Sequence, residues 1–125
     1  MNYLIVFLGG GLGAASRYGM NVFVPRMVGS DYPWHTMVIN ITGCFVMGCL
    51  TELMALRLNT SQEMRLFLTT GILGGYTTFS AFALDFALLF ERRDIVGAAG
   101  YALASVGLSL IACFLGLAAV RALLV

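Results

Sequence analysis

The chain has 125 residues, of which 60% are hydrophobic and only 10% charged, with a mean hydropathy of +0.93. A soluble domain carries roughly a quarter charged residues to cover its surface, and seven arginines with six carboxylates and no lysine fall short of that. This composition excludes an ordinary soluble domain, and a net charge of +1 without a basic cluster argues against a nucleic-acid partner.

Four spans of about 20 residues fit the length and leave only short loops. The first runs roughly from Tyr3 to Val24 and ends at Pro25. It lacks a basic leader and is too long for a signal-peptide core, so it reads as a retained span. A short loop follows, closed by Trp34, a residue suited to the membrane–water boundary. The second span runs roughly from Thr36 to Leu56, and Arg57 to Arg65 form a polar loop. The third covers Leu66 to Phe90 with one charge, Asp85; Glu91-Arg92-Arg93-Asp94 mark a tight turn; and the fourth occupies Ile95 to Val120. Cys44, Cys49 and Cys113 all lie in apolar stretches without zinc or disulfide spacing, and read as small buried hydrophobes.

The third span is unusual at its centre, Gly71-Ile72-Leu73-Gly74-Gly75-Tyr76-Thr77-Thr78. Glycine weakens helices, and threonine competes for backbone hydrogen bonds. The pattern points to a helix break near mid-membrane, where free carbonyls and half-helix ends can bind ions. The alternative is a continuous helix with a small-residue packing face.

Charge placement supplies a second signal. Arg57, Arg65 and Arg121 fall on one side of a four-span chain; Arg26, Arg92 and Arg93 fall on the other. Orientation follows from an asymmetry of such charges, and here there is none. The chain is therefore free to insert both ways up, and two opposite copies can pair about a two-fold axis.

Few side chains carry chemistry. Gly9, Gly13 and Arg17 share one helix face, where an intramembrane arginine is either an anion-attracting charge, a packing anchor or a side chain reaching the interface. Asn40 offers two N–H donors where water is scarce, or an interhelical hydrogen bond. Phe79 and Phe82 share a face as core residues or as positive ring edges open to an anion. Ser105, Ser109 and Cys113 recur every four residues; the serines line a polar track or bond back to their own helix. Nothing suggests catalysis: the single histidine, His35, stands at a loop-to-span junction, and no hydrolase, P-loop or metalloprotease pattern occurs.

Taken together, Gly9 to Gly13 with Arg17-Tyr18, Thr36 to Asn40 with Gly43, and above all Thr70-Gly71-Ile72-Leu73-Gly74-Gly75-Tyr76-Thr77-Thr78-Phe79-Ser80-Ala81-Phe82 resemble the Fluc (CrcB) family of small fluoride channels. The resemblance runs through all four spans in order. It implies an all-α membrane protein of the cell (inner) membrane, whose third helix is broken, assembled as an antiparallel dual-topology homodimer. Two fluoride pathways and passive export of the anion are implied with it. A structural sodium ion would be held by the main-chain carbonyls of Gly74 and Thr77. Asn40, Thr78, Phe79, Phe82 and Ser109 match pathway residues, and Arg17 matches a vestibule arginine.

Two departures stand out. Ala81 replaces a usual threonine and removes a hydroxyl, and His35 stands where the family often has glycine; at Asp85, where relatives commonly carry glutamate, the carboxylate is retained. A small multidrug antiporter, the nearest competing class, needs a carboxylate deep in its first span, and Tyr3 to Val24 contains none. A non-transporting helical assembly subunit would account for the glycine faces, but not for a broken span bearing a phenylalanine pair.

Overall fold

The computed structural model describes residues 1–56 and 59–124, and every regular element among them is helical. Helix α1 (Asn2–Val28) leads to α2 (Trp34–Leu56). An interrupted rod follows, built of α3 (Gln62–Arg65), a π-helical stretch (Leu66–Leu73), α4 (Gly74–Tyr76) and α5 (Phe79–Glu91), and α6 (Ile95–Leu124) completes the chain. Arg57, counted above among the loop charges, lies outside the described residues.

Three units, α2, the rod Gln62–Glu91 and α6, are long and apolar enough to cross a membrane. At 27 residues α1 is also long enough, but Ser16, Arg17, Asn21, Arg26 and its glycines dilute its apolar character. Thr36, Thr78 and Ser105 are buried beside an apolar core, while large apolar side chains such as Phe7, Phe23, Phe90 and Phe114 face outward. Such a surface suits lipid, not water.

Helix ends follow local chemistry. α1 continues one turn past Pro25, beyond the end expected for the first span, and the Gly29 N–H donates to the Pro25 carbonyl at 2.8 Å. A proline this near the C-terminus forfeits only one helical donor, and the helix stops at Gly29, whose φ is +87°. The loop expected up to Arg65 is partly helical, because the Ser61 hydroxyl accepts from the Met64 N–H at 3.2 Å and caps α3. Asp94 caps α6 in the same way, accepting from the Gly97 N–H at 2.9 Å. The turn before it is closed by Asp94 N–H to Leu89 O at 3.0 Å and Arg93 N–H to Phe90 O at 2.9 Å, with Arg93 left-handed at φ 62°.

Glycines set the packing. α1 lies against the first half of the rod, where a Cβ at Gly9 would sit 2.7 Å from the Phe67 carbonyl and one at Gly13 would strike the Ile72 carbonyl. α2 and α6 run side by side in parallel. The Tyr32 hydroxyl donates to Gly97 O at 2.7 Å near their starts, and Arg121 pairs with Glu52 at 3.1 Å near their ends. Between these points Gly48 and Gly116 bring the two backbones together. Met37, Leu89, Ala98 and Tyr101 form the core that joins α2, α5 and α6.

Candidate functional site

The rod is interrupted at Thr77 and Thr78, midway along its 30 residues, where both residues are extended (φ −78°, ψ 157° and φ −153°, ψ 122°). The glycine pair itself remains helical, in α4. Thr77 still bonds back to its own helix, its N–H to Leu73 O at 3.0 Å and its hydroxyl to the same oxygen at 2.9 Å, and it is Thr78 that finds a partner elsewhere. The Asn40 side chain holds the backbone of Thr78 in both directions: Nδ2 donates to Thr78 O at 2.9 Å, and Thr78 N–H donates to Oδ1 at 2.9 Å. The Thr78 hydroxyl then accepts from the Ala81 N–H at 3.1 Å and starts α5. Gly43 permits the approach of α2, since a Cβ there would collide with the Thr77 methyl.

These bonds bear on two carbonyls. In an unbroken helix Gly74 O would accept from the Thr78 N–H, and Thr77 O from the Ala81 N–H. Both donors are diverted, one to Asn40 and the other to the Thr78 hydroxyl. Two hard oxygens at one break thus lose their helical partners, which fits a small hard cation. Among the described residues no cluster of three His, Cys, Asp or Glu side chains could hold a metal, so a cation at this break would rely on carbonyl oxygen.

A cavity of about 450 Å³ opens beside the break, lined by Asn40, Gly74, Thr77, Thr78, Phe79, Phe82 and Ser109, with Cys44, Ser105 and Val106. It brings together every candidate of the sequence reading except Arg17, which lies on α1, one turn beyond Gly13, and makes no ion pair among the described residues. The hydroxyls of Ser105 and Ser109 are buried and have no hydrogen-bond partner among the described residues. Neither serine bonds back to its own helix. Asn40 Nδ2 spends one hydrogen on Thr78 and keeps a second. Phe79 and Phe82 lie with ring centroids 5.5 Å apart and tilted by 47°. Phe79 is 76% exposed, so it stands on the outer wall of the cavity.

Asp85, whose role the sequence left open, is engaged from two sides. Thr36 Oγ1 donates to its Oδ2 at 2.7 Å, and the Tyr101 hydroxyl donates to the same atom at 3.0 Å. Tyr101 is fully buried and packs on Phe82 at 5.2 Å. Sequence reasoning missed it, although it stands four residues before Ser105 and extends the Ser105–Ser109–Cys113 series by one turn. Near the chain's edge, burial and then the Asp94 charge raise the Tyr32 phenol above its ordinary range.

Comparison with known proteins gives the family. The family described as "CrcB-like protein, Camphor Resistance (CrcB)" matches residues 4–117. A protein of Rhodopseudomonas palustris (strain BisB5) named fluoride-specific ion channel FluC is 54% identical over 123 residues, covering 98% of this chain and 99% of its own. One of Mesorhizobium japonicum with the same name is 54% identical over 122 residues, covering 98% of each chain. A third, fluoride-specific ion channel FluC 2 of Nitrobacter hamburgensis, is 52% identical over 121 residues, covering 97% of this chain and 98% of its own.

Proposed function

Given that the chain belongs to the CrcB family of fluoride channels, and so is a multi-pass membrane protein and not an enzyme, we propose that it exports cytoplasmic fluoride passively across the cell (inner) membrane. The working unit is an antiparallel homodimer with two pathways, and α1 crosses the membrane together with the three more apolar units. The observation that carries this reading is the cavity at the break, which gathers the amide, hydroxyls and rings into one place.

Fluoride is small and strongly hydrated, so a pathway must replace its water with donors. The second Nδ2 hydrogen of Asn40, the hydroxyls of Ser105, Ser109 and Thr78, and the ring edges of Phe79 and Phe82 supply them. Several weak stations let the ion leave as readily as it enters. Phe79, exposed on the single chain, is covered when a second, inverted copy closes the cavity. Arg17 acts before the cavity, as a vestibule charge that attracts the anion.

The carbonyls of Gly74 and Thr77 would hold a sodium ion, which would supply positive charge where half-helix carbonyls otherwise repel one another. The protein's own part is to keep those oxygens free, which Asn40 and Thr78 do by taking the competing N–H donors.

Fluoride efflux from proteoliposomes, with chloride as the control, tests the function. Fluoride is expected to leave while chloride is retained; equal efflux of both anions, or none, rejects the reading.

A further inference from the structure

The three cysteines, expected to be small buried hydrophobes, are free and each only half-buried. Cys49 and Cys113 lie along the seam where α2 meets α6: a Cβ at Gly48 would strike the Cys113 carbonyl, and one at Gly116 would sit 2.9 Å from the Cys49 N. Of the three, Cys44 alone lines the cavity at the break. It stands one helical turn after Asn40 on the same face of α2, so the amide and the thiol belong to one wall.

α6 contributes Ser105 and Ser109 to the same cavity. Ser105 is 4% exposed, and its hydroxyl, like that of Ser109, has no hydrogen-bond partner among the described residues. Buried hydroxyls in this state call for a ligand, water or an ion, in the space they line. A thiol in the wall of such a space meets whatever moves through it, whereas a cysteine packed among apolar side chains stays inert. None of the side chains lining the cavity carries a formal charge, so a small neutral molecule enters without giving up the hydration of a charged group.

We propose that Cys44 is a modification site in the wall of the fluoride pathway, where a small neutral thiol-directed electrophile closes the channel. The inference rests on the channel reading above. Methyl methanethiosulfonate is such an electrophile. The Cys44 sulfur attacks the reagent's sulfenyl sulfur and a Sγ–SCH3 bond forms. The reagent's own S–S bond breaks, methanesulfinate leaves with the electron pair, and the thiol proton passes to water. The added methylthio group can donate no hydrogen bond. It fills space beside the hydroxyls and the amide that must replace the ion's water.

The test treats the full-length channel in proteoliposomes with this reagent, then reads fluoride efflux and the mass of the Cys44 peptide. Efflux is expected to fall in step with the fraction of Cys44 labelled, by about tenfold or more at full labelling, the effect of covering one or two donors at the barrier. Dithiothreitol, which reduces the mixed disulfide, should restore it. A Cys49→Ala/Cys113→Ala variant should be blocked like wild type. Cys44→Ala, with Cys44→Ser as the second variant, should keep its own untreated rate after treatment. Wild-type efflux that persists with Cys44 labelled, a Cys44 that is labelled only after unfolding, or equal slowing in both Cys44 variants overturns the site while leaving the channel intact. Absence of fluoride efflux from the untreated protein overturns the channel reading and this inference together.

Discussion

Asn40 and Thr78, 38 residues apart in sequence, are joined by two hydrogen bonds of 2.9 Å, the asparagine amide to the threonine backbone in both directions. The amide replaces the helical partner that Thr78 N–H gave up and supplies one for its carbonyl. Asn40→Ala leaves both backbone groups unsatisfied beside the cavity, at a cost of about 2–4 kcal/mol. Asn40→Asp keeps the acceptor for the N–H but removes the donor and places a negative charge on an anion pathway. Both variants are expected to lose most fluoride efflux, and Asn40→Ala to unfold at lower temperature. Efflux at the wild-type level in Asn40→Asp would remove the amide from the pathway.

Ser105 and Ser109 give a sharper separation of stability from function. Their hydroxyls are buried and unpartnered among the described residues, so truncation breaks no internal bond and relieves a desolvation penalty of about 1–2 kcal/mol. Ser105→Ala and Ser109→Ala are expected to be as stable as wild type or more so in a thermal melt, yet to conduct fluoride more slowly. Stabilisation with unchanged flux would mean that the hydroxyls serve no ion.

The two phenylalanines should part company in the same assays. Phe82 packs on the buried Tyr101, whereas Phe79 is 76% exposed on the single chain. Phe82→Ile is therefore expected to cost about 1 kcal/mol of stability, and Phe79→Ile little, with the dimer intact in each case. Both should slow fluoride flux, by up to about tenfold if each ring edge contributes about 1.4 kcal/mol at the barrier. Unchanged flux in the two variants would place the rings outside the pathway.

Sodium is expected to act through the Gly74 and Thr77 carbonyls. Replacing it on both sides with a large organic cation should lower the melting temperature, because a ligand that binds only the folded dimer stabilises it by mass action. It should also reduce fluoride flux. A melt and a flux both indifferent to sodium would remove the cation from the account.

Much of this was legible in the residues. Sparse charge predicted a membrane bundle, and the many large apolar side chains that face outward agree with it. The break was also foreseeable, because Gly-Gly beside Thr-Thr weakens any helix, and it falls within the stretch so marked, at Thr77 and Thr78, while Gly74 and Gly75 stay helical. Propensity counts local cost alone, whereas the partner that rewards the opening comes from another helix. The π-helical form of Leu66–Leu73 had no sequence signal at all.

Asp85 and Tyr101 show the same limit from the other side. Each could be named as a polar residue in an apolar span, but only packing places Thr36 and Tyr101 on one oxygen of Asp85. Composition and the Thr-Thr-Phe-Ser motif alone determined the class of the protein, because hydrophobic content and local backbone preference are properties of the chain itself. The tertiary structure decided which helical N–H donors are diverted and which hydroxyls go unpaired among the described residues. Those are relations between helices distant in sequence, settled by how closely Gly43, Gly48 and Gly116 let their backbones meet.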